Sequence, residues 1–166
     1  MIIPAFISGF LTKPLEKEVE RMIKEHRNAD RINFLLRDPS LGERVSGNGF
    51  RPNCFGGAFW VFGFSDKETP QYVDEIDTKS IIETRFVESQ MPSGLVIVRR
   101  LNGRLFHGGV YIGRSKLLRK HIIFHQPGPG LKFKWDPYYS DQNWLAEIGL
   151  HEPCYYQPIY EARRAG

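Results

Sequence analysis

The sequence predicts an α+β domain in which helices come first and a run of antiparallel strands follows. Three observations carry this. Leu15, Val19, Met22 and Ile23 recur at helical spacing near the N-terminus. From Ser93 onward the apolar period becomes two, and Asn102-Gly103 lies between two such runs as a two-residue hairpin turn. The length, 166 residues, suits one domain with its own core. We read 1–166 as a single domain, with a helical part over 1–40 and a core carrying the site over 45–160.

The first helix is expected over Lys13–Arg27. Thr12 can cap it, Pro14 suits the first turn, and Glu16 sits early, where the helix dipole favours an acid. A shorter second helix is expected from about Ala29 to Leu36, ended by Asp38-Pro39. Ser40 to Pro52, rich in Gly and Ser, reads as a loop. Asn53 to Gly63 is apolar nearly all round, so as a helix it is buried. Asn53 is its candidate N-cap and Gly63 its stop. A buried strand is the competing reading, since Gly56 and Gly57 each weaken a helix by roughly 1 kcal/mol. Strands are expected over Leu95–Arg100, Arg104–Ile112, His121–Gln126, Leu131–Trp135 and Tyr155–Tyr160. A short helix is expected over Ser140–Ile148.

Composition excludes several classes. Hydrophobic residues are 41% and charged residues 25%, ordinary for a folded soluble chain. Mean hydropathy is −0.38, and no apolar run is long enough to span a bilayer. Lys and Arg number 23 against 19 acids, giving a net charge of +4. The cations are scattered, which reads as a solvated surface and not a nucleic-acid face. A basic stretch formed by Arg114, Lys116, Arg119, Lys120, Lys132 and Lys134 follows the His107 region. It reads as a solvated edge, or as a hold for an acidic substrate group. Two cysteines cannot build a disulfide framework; they fit a reducing compartment, or one reactive and one structural thiol. Met1-Ile2-Ile3-Pro4-Ala5-Phe6 lacks a basic n-region, and the apolar stretch ends by Leu11. We therefore expect no secretory signal and a cytoplasmic location.

Cys54 is the first candidate for chemistry. It follows a glycine-rich loop and opens the expected buried helix. Free N–H groups and the partial positive charge there lower a thiol pKa and stabilise an oxyanion. The alternative is a small buried hydrophobe. His107 is the second, in Phe106-His107-Gly108-Gly109-Val110-Tyr111-Ile112-Gly113. His107, Gly109 and Tyr111 share one strand face, and the two glycines are expected to clear space beside the imidazole. His125 is the third, on a strand where His121, Ile123 and His125 share a face. A catalytic imidazole needs a partner that holds its tautomer, and either His125 or the neighbouring Gln126 suits that role. Cys154 reads as structural, and His26 and His151 as surface residues. The spacing of Cys54, His107, His121 and His125 matches no compact zinc motif, so neither metal nor cofactor is expected.

On these residues the chain resembles the NlpC/P60 superfamily of papain-like cysteine peptidases and amidases. That family opens a buried helix with a cysteine in a segment like D-C-S-G-F; here it is Asn53-Cys54-Phe55-Gly56-Gly57. A G-D-L-V-F-F strand then leads through a hairpin to H-V-G-I-Y-I-G. Here these are Ser93-Gly94-Leu95-Val96-Ile97-Val98 and His107 to Gly113. A third strand ending in a polar residue follows, here Ile123-Phe124-His125-Gln126. The match covers roughly residues 45–130. It departs from the family at Asn53 for Asp, Phe55 for Ser, and Ser93-Gly94 for Gly-Asp. The upstream tyrosine of cell-wall-cleaving members has no clear counterpart, Phe50 being the nearest aromatic.

The resemblance implies a papain-like core and a cysteine hydrolase. Cys54 is then the nucleophile, His107 the base and His125 the orienting residue, with the Cys54 N–H in the oxyanion hole. The implied substrate is a peptide or isopeptide amide, a cell-wall peptide among them, cleaved through a thioester. Two alternatives stay open: an acyl or lipid hydrolase or transferase on the same fold, and a catalytically degenerate papain-like domain that binds a partner.

Overall fold

A computed structural model describes residues 12–138 and 153–162. The chain is α+β. Four helices run first: α1 (Thr12–Glu25), α2 (Ala29–Arg37), α3 (Cys54–Val61) and α4 (Glu75–Arg85). Six strands follow: β1 (Phe86–Ser89), β2 (Leu95–Arg99), β3 (Leu105–Arg114), β4 (His121–His125), β5 (Lys134–Tyr138) and β6 (Cys154–Pro158). A last turn of helix, α5, covers Ile159–Ala162. The strands form one antiparallel sheet in the order β1-β6-β2-β3-β4-β5. The expected helix over Ser140–Ile148 and the N-terminal apolar stretch lie outside the described residues.

The helical period of α1 buries Val19 and Ile23, with Leu15 and Met22 packed beside them. Thr12 lies inside the helix, not before it. Glu18 is buried on the same helix because it is satisfied. Its carboxylate accepts from Ser115 Oγ and Lys116 N–H, both at 2.6 Å, which ties α1 to the turn after β3. A buried carboxylate without such donors is costly. His26 closes the corner between α1 and α2. Its Nδ1 accepts from Asn28 N–H at 3.0 Å and its Nε2 donates to Tyr111 O at 3.1 Å. It is thus half-buried and structural, not a surface residue.

The segment opened by Cys54 is a helix, and it is buried along most of its length. Phe55, Ala58, Phe59, Trp60 and Val61 all enter the core. Each large apolar side chain so buried contributes roughly 1.5–3 kcal/mol, which outweighs the glycine penalty of about 1 kcal/mol each. The glycines have a packing role as well. A Cβ on Gly57 would lie 2.5 Å from Phe133 Cε1, so only glycine lets that ring seat against α3. Gly63 follows the helix with φ +79°, the left-handed conformation that suits a stop.

The structure differs from the sequence expectation at five places. Helix α4 and strand β1 were not expected. Asp74 caps α4 by accepting from Asp77 N–H at 2.8 Å, but only Thr78 and Ile82 are buried, so its apolar pattern is faint. The hairpin between β2 and β3 uses three residues, not two. Arg100 and Arg104 pair, Gly103 N–H donates to Arg100 O at 2.8 Å, and Gly103 takes φ +81°. β5 starts at Lys134 rather than Leu131 and continues through Pro137. It lies at the sheet edge, where a missing N–H is tolerated. β6 starts at Cys154 and ends at Pro158, with Tyr160 in the short helix after it.

Candidate active site

Asn53 sets the position of Cys54. Its backbone is extended, and it holds the helix start from both its groups. The Asn53 Oδ1 accepts from Gly56 N–H and the Asn53 carbonyl from Gly57 N–H, each at 2.9 Å. Its Nδ2 also donates to Val73 O at 2.7 Å, tying the helix start to the segment before α4. The N–H groups of Cys54 and Phe55 are left for the sulfur and whatever occupies the site. With Gly108 N–H they are the backbone donors directed at a thiolate here.

These donors do not prevail over desolvation. Burial pushes the Cys54 thiol up to about 11, with the Gly108, Phe55 and Cys54 N–H groups working against it. The expected lowering by the helix terminus is thus reversed. Burial also pushes His107 down to about 3; the neighbouring His125 adds to this, and Asp136 opposes it. Burial thus favours the neutral form at both sites, the thiol of Cys54 and the uncharged imidazole of His107.

The sheet register builds the imidazole side. Val110 pairs with Phe124, and Tyr111 with Ile123. Continuing that register places Gly109 opposite His125 and His107 on its diagonal. His107 Nε2 lies 2.7 Å from His125 Nδ1, with the rings edge to face. His125 pairs with Lys134, and Ile123 with Asp136, so Asp136 is the next diagonal. His125 Nε2 lies 2.8 Å from Asp136 Oδ2. A polar line thus runs from His107 on β3 through His125 on β4 to Asp136 on β5.

The two glycines after His107 do a different job from clearing room for its ring. A Cβ on Gly108 would sit 2.7 Å from Phe55 Cδ1, so Gly108 admits α3 against the strand. A Cβ on Gly109 would sit 2.6 Å from Ile123 Cγ2 and 3.2 Å from His125 Cβ. Gly109 thereby leaves His125 free to lean toward His107.

Between His125 and Gln126, His125 is the residue that meets His107. Gln126 is fully buried, and its Nε2 donates to Gly42 O and Leu131 O at 2.9 and 2.8 Å. It braces the loop over 127–131. His121 is engaged with the Tyr111 hydroxyl at 3.2 Å. Cys154 packs against the core from β6 and forms no disulfide with Cys54. His151 lies outside the described residues.

Cys54, His107, His125 and Asp136 share one cleft of about 1360 Å³. Its cationic lining comes from Arg51, Arg100, Arg104 and Lys134; of the basic stretch singled out in the sequence only Lys134 reaches it. Phe50 and Tyr72, both exposed, face each other at 5.4 Å on its lip. Among the described residues, no group of three or more His, Cys, Asp or Glu is arranged to hold a metal ion. Nor is any described helix long and apolar enough to cross a membrane.

Sequence reasoning missed Asp136. Asp136-Pro137 reads as the end of a strand, yet the strand runs through it. The available signal was period two: Lys134 and Asp136 alternate with Trp135 and Pro137, as an edge strand with one polar face does. Comparison with family models, with curated proteins and with solved structures gives no match.

Proposed function

We infer that this protein is a cysteine hydrolase that cleaves an amide by acyl transfer to water. The observation that supports it most is the contact of His107 with His125 in the cleft that Cys54 lines. His107 Nε2 is engaged by His125, which leaves Nδ1 as the nitrogen available to the thiol. The resemblance to NlpC/P60 enzymes assigns the same three residues the same roles.

The neutral resting state shapes the mechanism. No thiolate–imidazolium pair waits for substrate. The Cys54 proton passes to His107 Nδ1 as sulfur attacks the carbonyl carbon, so His107 acts as a general base. The oxyanion takes hydrogen bonds from the backbone N–H of Cys54. The C–N bond then breaks, and His107 returns the proton to the leaving amine. Water attacks the thioester with His107 again as base, releasing the acid and restoring the thiol. The net reaction is amide plus water to acid plus amine. The cationic and aromatic cleft lining suits an acyl group that carries both a carboxylate and apolar surface. A peptide or isopeptide amide, from a cell wall or elsewhere, meets that description, as does an acidic acyl ester.

A second reading, a papain-like scaffold that binds a partner without turnover, draws on the raised thiol pKa of Cys54. One experiment separates the two. The protein is given p-nitrophenyl acetate and fluorogenic peptide amides, and Cys54 is examined for an acyl adduct by mass spectrometry. We expect an adduct on Cys54 and hydrolysis that both Cys54→Ala and His107→Ala abolish. Unmodified Cys54 across the whole panel would establish the binding reading instead.

A further inference from the structure

The imidazole line ends on a group that no motif reading supplied. Asp136 is mostly buried, 20% exposed, at the edge strand, and its Oδ2 receives His125 Nε2 at 2.8 Å. We propose that Asp136 is a positioning residue that fixes the tautomers of both histidines and so makes His107 a base. The proposal rests on the hydrolase reading for its consequence but not for its geometry.

A carboxylate can only accept, so His125 carries its proton on Nε2. When that is the ring's one proton, Nδ1 of His125 is bare and can only accept. The 2.7 Å contact therefore requires His107 to carry its proton on Nε2. That leaves a lone pair on His107 Nδ1, which has no hydrogen-bond partner among the described residues. Without Asp136, the His125 proton is free to sit on Nδ1. It would then donate to His107 Nε2 and move the His107 proton to Nδ1, where it blocks the lone pair needed for the thiol proton. When His107 takes that proton, both ring N–H groups along the line point toward Asp136, so its charge supports the cation.

Lys134 bears on the same oxygen. Its Nζ lies 3.2 Å from Asp136 Oδ2, and it pairs with His125 across the strands. Lys134 holds the carboxylate oxygen in place for His125 and leaves it an acceptor. It is half exposed, so its charge is screened and it does not replace the His125 contact. Gly109 completes the device, since any side chain there would meet His125 Cβ.

The test is ¹⁵N NMR of the full chain labelled at histidine, with assignments from single His→Gln variants. In the wild type at neutral pH we expect Nε2 protonated and Nδ1 bare on both His107 and His125. In Asp136→Ala, His125 should shift to a mixture of tautomers and His107 should follow it. Asp136→Glu should restore the wild-type pattern. Acylation of Cys54 by p-nitrophenyl acetate should fall tenfold or more in Asp136→Ala and recover at least partly in Asp136→Glu. Tautomers unchanged by Asp136→Ala, or a wild-type His125 protonated on Nδ1, would overturn the proposal. Acylation unaffected by His107→Ala, with the tautomer result intact, would defeat the hydrolase reading and leave the positioning role standing.

Discussion

The two walls of the cleft are built by different physics. The wall bearing Cys54 is held by packing and backbone. Phe55, Ala58, Phe59, Trp60 and Val61 anchor α3 in the core, Gly57 and Gly108 set how closely it approaches Phe133 and β3, and Asn53 caps its start. The wall bearing His107 is held by side-chain hydrogen bonds along a diagonal of the sheet. The place of Cys54 is therefore a matter of packing and stability, while the role proposed for His107 is a matter of tautomer and charge. Damage to the first wall should cost folding free energy; damage to the second should cost chemistry and leave the fold intact.

The largest expected effect sharpens that contrast directly. Cys54→Ala and His107→Ala should each lower kcat/KM by about 10⁴ or more. Thermal unfolding should show that His107→Ala remains folded. A variant that lost activity only by unfolding would erase the distinction between the walls.

Packing changes come next. Gly108→Ala puts a methyl group 2.7 Å from Phe55 Cδ1, and relief requires α3 to move. Destabilisation of about 1–3 kcal/mol is expected by chemical denaturation, together with lost acylation of Cys54. Asn53→Ala removes the cap and should cost about 1–2 kcal/mol by the same measurement. Asn53→Asp keeps the acceptor but loses the donor to Val73 O, so it should fall between wild type and alanine.

Stability should also depend on pH in a way each wall dictates separately. Folded His107 is held down at about 3, so between there and its ordinary value the unfolded chain binds the extra proton. Its share of stability is present above about pH 6.5 and is lost as pH falls toward 3. Folded Cys54 is held up at about 11, so its thiol stays protonated after the unfolded thiol has ionised. Its share is present below the unfolded thiol pKa and is lost as pH rises toward 11. Each slope is at most about 1.4 kcal/mol per pH unit. Denaturation of His107→Asn should flatten the acid side alone, and that of Cys54→Ala the alkaline side alone. The smallest effect belongs to Lys134→Gln, a half-exposed pair, at about 0.5 kcal/mol or less in the same assay.

The same contrast explains what the sequence made legible. The Cys54 wall announces itself locally: an asparagine cap, an apolar run and a stopping glycine within eleven residues, Asn53 to Gly63. The β2–β3 hairpin and the strand ending at His125 are equally local signals. The imidazole wall is not local. Asp136 joins it only through the register of β4 with β5, and Pro137 hides that strand from a reading by propensity. Helix α4 was hidden for another reason, because its only buried residues are Thr78 and Ile82 and its cap is its clearest mark. The helix terminus that lowers a thiol pKa is visible in sequence, whereas the burial that raises it at Cys54 is a property of the assembled fold.

The proposed mechanism holds that Cys54 and His107 are both neutral in the resting cleft. Its most direct test is the pH dependence of iodoacetamide alkylation at Cys54, with labelled peptides resolved from Cys154 by mass spectrometry. Labelling should be slow at neutral pH and climb through the alkaline range toward about 11, with no acidic plateau. A plateau of fast labelling between about pH 4 and 8, lost in His107→Ala, would reveal a preformed thiolate–imidazolium pair and contradict it.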